Sequence, residues 1–156
     1  MEAFARRLVL LSLILVAGAF AQPTPGNAQT ADDRIGLVKS TNGAVWVNRA
    51  DARIEAKPGD PLFRSDNVEV GDDGGASVVL LDGTSLSIGA GSIVWLDEFD
   101  YQPQNDALAL VVRILRGSML FVTGEIGKLA PANIRIETPT GTLGVRGTRF
   151  IVRTAQ

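Results

Sequence analysis

The stretch GASVVLLDGTSLSI, residues 75–88, decides the fold class. Ser77 to Leu81 is a nearly unbroken apolar run, as expected of a strand covered on both sides. Leu86 and Ile88 then alternate with Ser85 and Ser87, which places one face in a core and one in water. Asp82-Gly83 lies between them. That dipeptide is a hairpin signal, because a type I′ turn needs positive φ at both central residues. Asp73-Gly74 marks another turn nine residues earlier. Turn signals at this spacing belong to all-β sandwiches, rolls and barrels.

The same texture extends in both directions. Val68 and Val70 flank Glu69, and Ile134 and Ile136 flank Arg135. Val45-Trp46-Val47 is a short apolar run after Gly43-Ala44. Residues 107–116, ALALVVRILR, are ambiguous. Leu108, Val111, Val112 and Leu115 have helical spacing, with Asn105 or Asp106 as a cap and Gly117 at the C-terminal stop. The β-branched Val111, Val112 and Ile114 favour a strand instead. Residues 124–131 suit one short helical turn or a loop.

Composition narrows the chemistry. The 156 residues include no cysteine and no histidine. A disulfide framework, a Cys/His zinc site, a thiolate nucleophile and a histidine-based triad are therefore excluded. The balance of 15 basic against 17 acidic residues argues against a nucleic-acid surface. Seventeen glycines outnumber the aromatic residues, Phe 6, Trp 2 and Tyr 1.

Residues 1–21 have the pattern of a secretory signal peptide. Arg6 and Arg7 precede an uncharged run from Leu8, and Ala19-Phe20-Ala21 offers a cleavage site. Ala28 is a second possible cleavage point. The run is short for a membrane span, which needs about 20 apolar residues. Membrane contact is expected only through this segment, as a signal helix, before cleavage. Removing it leaves a mildly acidic chain in the periplasm or outside the cell. Residues 22–34 read as a flexible leader, with two prolines and no large apolar residue before Ile35. Residues 35–153 read as one all-β domain, a compact sandwich-like or short solenoid-like roll of short strands joined by Gly/Asp turns.

A string of motifs carries a resemblance. Pro58-Gly59-Asp60-Pro61-Leu62-Phe63 is followed by Ser65-Asp66, then by Asp82-Gly83-Thr84. The closing stretch runs Thr138-Pro139-Thr140-Gly141-Thr142-Leu143-Gly144-Val145-Arg146-Gly147-Thr148-Arg149-Phe150. Together they resemble the FecR domain of bacterial envelope proteins. The resemblance implies an all-β domain working outside the cytoplasm. The family's namesake spans the membrane and relays a siderophore signal to a sigma factor. Seven residues precede the apolar run here, so the sigma-regulating parts are not expected.

Each motif has a bland reading beside its functional one. Asp60, Asp66, Asp72, Asp73 and Asp82 are hard oxygen donors, but their spacing matches no calcium loop, and turn-forming roles are expected. Gly144, Arg146 and Gly147 lack the lysine and helix of a phosphate loop. Pro139 suits a strand end or edge, and Gly147 a bend or close backbone contact. Asp97, Glu98 and Asp100 are expected in a solvated loop; on a strand, Asp97 and Glu98 would face opposite sides. Trp46 and Trp95 are expected to be core or half-buried, with a ligand platform as the functional alternative. No metal, cofactor or catalytic residue is expected. The expected function is a non-catalytic module that binds another envelope protein, with ligand or glycan sensing as the alternative. Oligomeric state is left open.

Overall fold

The computed structural model describes residues 33–145, 147 and 149–154. The signal peptide, most of the leader, Arg146 and Thr148 lie outside the described residues. The chain forms a two-sheet β-sandwich. One sheet holds β1 (Arg34–Asn42), β4 (Pro61–Phe63), β6 (Gly75–Leu80), β7 (Ser85–Ile88), β10 (Ser118–Val122) and β13 (Arg149–Arg153) in the order β13-β10-β7-β6-β1-β4. The other holds β2 (Val45–Arg49), β3 (Ala52–Glu55), β5 (Asn67–Val70), β8 (Ile93–Gln102), β9 (Ala107–Arg116), β11 (Ile134–Thr138) and β12 (Gly141–Gly144) in the order β12-β11-β9-β8-β5-β2-β3. All pairings are antiparallel except β9 with β11.

Alternation fills the space between the sheets. Val78, Leu80, Leu86, Met119 and Phe121 from one sheet meet Val47, Val68, Val94, Leu110, Val112 and Ile136 from the other in one buried cluster. Phe150 stacks on Phe121 with ring centroids 5.0 Å apart. The apolar run in β6 is not covered on both sides. Ala76, Val78 and Leu80 are buried while Ser77 and Val79 are half-buried, and Leu81 is exposed. A Val or Leu on the outer face is tolerated because much of any protein surface is apolar.

Residues 107–116 form strand β9. Helical spacing would have hidden Leu115, yet Leu115 is 40% exposed while Leu110, Val112 and Ile114 are at 0%. Pairing on both sides, with β8 and β11, decides in favour of the β-branched residues. The chain then changes sheets across one residue, Gly117, with φ +90. Residues 125–129 form one short helix, α1 (Glu125–Leu129), whose Ile126 is fully buried.

The β6–β7 connection departs from a two-residue type I′ turn. It spans four residues, 81–84, and Gly83 has φ +82 while Asp82 does not have positive φ. The Asp82 side chain substitutes for that geometry. Its carboxylate accepts from Thr84 N at 2.9 Å and Thr84 Oγ1 at 2.7 Å.

Gly147 sits in the bend between β12 and β13 with φ +136. Among the described residues, no atom beyond the chain neighbours lies within 4 Å of where a Cβ would be, so of the two expected reasons for glycine the bend applies rather than a close contact. Gly147→Val should therefore cost about 1–3 kcal/mol, the usual strain of a non-glycine residue there. Thermal melts should show Gly147→Ala and Gly147→Val losing similar amounts. A much larger loss for valine would restore the contact explanation.

Candidate functional site

The outer face of the seven-stranded sheet carries the polar and aromatic groups. Register places Asn48, Asn67, Trp95, Arg113 and Glu137 in one row across five strands. Trp46 lies on the same face, paired with Glu69 and Glu55. Both tryptophans are half-buried. Each is covered by an arginine: Arg53 sits 4.0 Å from the Trp46 ring centroid and Arg113 6.0 Å from that of Trp95. The two rings share a face but not a site, because strand β5 runs between them with Asn67 and Glu69. They form no joint stacking platform.

Asp97 and Glu98 lie in strand β8, not in a loop, and the expectation of opposite faces fails. The β8–β9 register shifts between Leu96 and Glu98. A bulge adds one residue to a strand and re-aims its side chains. Leu96 and Phe99 are buried, while Asp97 and Glu98 both turn outward. Arginines from β9 and β11 meet them. Arg113 Nε donates to Asp97 at 2.8 Å and lies 3.7 Å from Glu137; Arg135 lies 3.7 Å from Glu98. Asp100 pairs with Arg64 at 2.7 Å.

The turn aspartates are part of the frame. Asp66 is fully buried and accepts from Arg49 Nε and Nη2 at 2.8 Å and from Phe63 N at 2.8 Å. Hydrogen bonding to Asp66 raises the Arg49 pKa above its ordinary value, against the opposing effect of burial. Asp60 accepts from Lys57 N at 2.7 Å in an exposed turn beside Gly59, φ +96. Thr138 Oγ1 donates to Gly141 O at 2.9 Å and closes the two-residue turn through Pro139 between β11 and β12.

Two clefts open beside this frame, and Arg64 lines both. The smaller, about 370 Å³, is lined by Asn48, Arg49, Ser65, Asn67 and Trp95 as well. Ala50 and Ser65 on its rim have φ +49 and +66. The Trp95 indole N–H is buried and finds no hydrogen-bond partner among the described residues. The larger, about 800 Å³, lies between the start of β1 and the end of β8, against Phe63, Phe99 and Tyr101.

Sequence reasoning expects an exposed strand edge or turn cluster but does not say which strand supplies it; among the described residues, the outer edges of β12 and β13 are unpaired. β12 and β13 are each the terminal strand of their sheet, and only residues 145–148 separate them in the chain. Leu143 on β12 is 46% exposed and Ile151 on β13 is 63% exposed. The Arg149-Phe150-Ile151-Val152-Arg153 alternation carried the signal. With Phe150 and Ile151 both apolar, nothing in the sequence said which one faced in.

A two-sheet all-β domain with closed turns and open end strands is thus the class to which this chain's architecture assigns it. The chain belongs to the FecR protein family, whose model matches residues 66–156. A solved structure described as a cell surface anchoring domain is 33% identical to it, over 38% of this chain and 80% of that one, with a TM-score of 0.37. No curated protein matches the chain.

Proposed function

We propose that this FecR-family domain is a non-catalytic binding module of the bacterial cell envelope. It would be exported by its N-terminal segment and would work against another envelope protein. One observation carries the reading: among the described residues, the outer edges of β12 and β13 are unpaired, and both strands expose apolar side chains. An open edge offers backbone donors and acceptors that another chain can complete. The outward carboxylates Asp97, Glu98 and Asp100 are each held by an arginine, which supports a structural rather than a catalytic role for them. Affinity capture from envelope extracts with the purified chain tests the reading. Specific retention of one envelope protein, lost on competition with untagged chain, is expected. No retained protein, or equal retention by an unrelated sandwich domain, would count against it.

A second reading rests on the Trp95 cleft. A ligand in this cleft would meet the Trp95 side chain, which lines it beside Asn48 and Asn67. Glycan-array binding that is lost in Trp95→Phe would support it. Unchanged binding in that variant, or none at all, would remove it.

A further inference from the structure

The inference concerns the partner of strand β13 and rests on the binding-module reading. Thr154 N donates to Gly117 O at 3.0 Å, which makes these two a hydrogen-bonded pair of the β10–β13 ladder. Bonded and non-bonded pairs alternate along an antiparallel ladder. Val152 and Phe150 are therefore the bonded residues toward β10. Arg149, Ile151 and Arg153 turn their N–H and C=O groups the other way, toward the free edge. Those same three residues have exposed side chains, on the outer face of the sheet. Neither arginine side chain hydrogen-bonds or ion-pairs with another described residue.

The edge thus reads, on one face, cation–apolar–cation at every second position. Ile151 is the most exposed large apolar residue among those described, at 63%, and its register partner Leu120 is half-buried beside it. A strand added here would lay alternate side chains opposite these three. Opposite charges facing each other across a pair of strands stabilise it, and like charges oppose it. A second copy of this chain is a poor occupant. Antiparallel β13–β13 pairing about Ile151 would set each Arg149 opposite Arg153 of the other copy.

We propose that β13 accepts, by strand addition, an extended partner segment of the form acidic–x–apolar–x–acidic. The carboxylates meet Arg149 and Arg153, and the central apolar side chain packs on Ile151 and extends the patch to Leu120. Backbone hydrogen bonds hold the segment, and the charge pattern selects it.

The test uses the purified chain and a fluorescent peptide with the core Glu-Thr-Val-Thr-Glu, read by anisotropy. Saturable binding is expected, with the Lys-Thr-Val-Thr-Lys peptide at least ~tenfold weaker, because both ion pairs become repulsions. In R149E/R153E the preference between the two peptides should invert. Ile151→Pro removes only an outward N–H, a change that edge strands tolerate. It should keep the circular dichroism of the wild type and weaken peptide binding by at least ~tenfold.

No saturable binding to the wild type, or no inversion in R149E/R153E, would overturn the proposal. So would a folded Ile151→Pro that binds as well as wild type, since attraction alone would then suffice. If Ile151→Pro fails to fold, the inversion in R149E/R153E decides. Concentration-dependent dimerisation that the peptide does not reverse would also overturn it, in favour of a second copy. Capture from envelope extracts separates the two levels. Retention of one partner equally by wild type and R149E/R153E sinks the β13 assignment and leaves the binding module standing. No partner for either removes the binding-module reading itself.

Discussion

Replacing Asp82 with alanine is expected to cost about 3–5 kcal/mol and to lower Tm by roughly 10 °C or more. The residue is 3% exposed and lies in the β6–β7 turn, but its reach is longer than that turn. One carboxylate oxygen accepts from Thr84 N, and the other from Thr84 Oγ1 and from Ile126 N at 3.3 Å. The Asp82 carbonyl accepts from Glu125 N at 2.8 Å, and Thr84 Oγ1 in turn accepts from Gly124 N at 3.0 Å. A single turn thus satisfies the first amides of α1, which have no partner within the helix. Alanine leaves buried donors unpaired, at about 1–3 kcal/mol each. Asparagine keeps an acceptor for Thr84 N but sets a donor against Ile126 N. Asp82→Asn should therefore melt between wild type and Asp82→Ala. The Ile126 amide should lose hydrogen-exchange protection in both variants. Melting within ~2 °C of wild type in both would show that the network contributes little to folding.

That network marks the boundary of what the sequence makes legible. Asp82-Gly83 identifies a connection between strands at the correct place. Its four-residue form and its link to Ile126, forty-four positions away, depend on tertiary packing. Alternation identifies β5, β7 and β11, because a half-buried sheet writes period two into its sequence. It misleads at Ser77 to Leu81, where outer-face valine and leucine imitate a strand covered twice. Asp97 and Glu98 fail for a different reason: a bulge inserts one residue, and parity is lost from that point. Nothing in the composition of β8 announces it.

The candidate surface was legible in part. Trp46 and Trp95 read as core or half-buried, and both are half-buried. Which of Phe150 and Ile151 faces out depends on β10, whose Phe121 receives Phe150. The edge position of β13 depends on strand order, a long-range property that no local window contains. The closing motif, residues 138–150, is continuous in sequence yet divides between the two sheets, with β12 in one and β13 in the other.

Gly124→Ala should be strongly destabilising. The residue has φ −92, outside the left-handed region that favours glycine. The requirement for glycine comes from space. A Cβ would stand 2.3 Å from Thr84 N, 2.4 Å from Asp82 O and 2.7 Å from Gly83 C. All three are backbone atoms of one turn, so no side-chain rotation can make room. Either the turn or the helix must move, and each movement breaks the bonds from Gly124 N, Glu125 N and Ile126 N. Displacing α1 also uncovers Ile126, which is fully buried. A loss of about 4 kcal/mol or more is expected from overpacking and unpaired donors together. For a domain whose total stability is about 5–15 kcal/mol, that approaches loss of the folded state. Soluble yield and Tm of Gly124→Ala measure it. Gly141→Ala is the control, because no atom lies within 4 Å of its added Cβ. Equal melting of the two variants would mean that the turn and α1 separate freely. The Asp82 network would then lose its standing as the joint that holds the end of the sandwich.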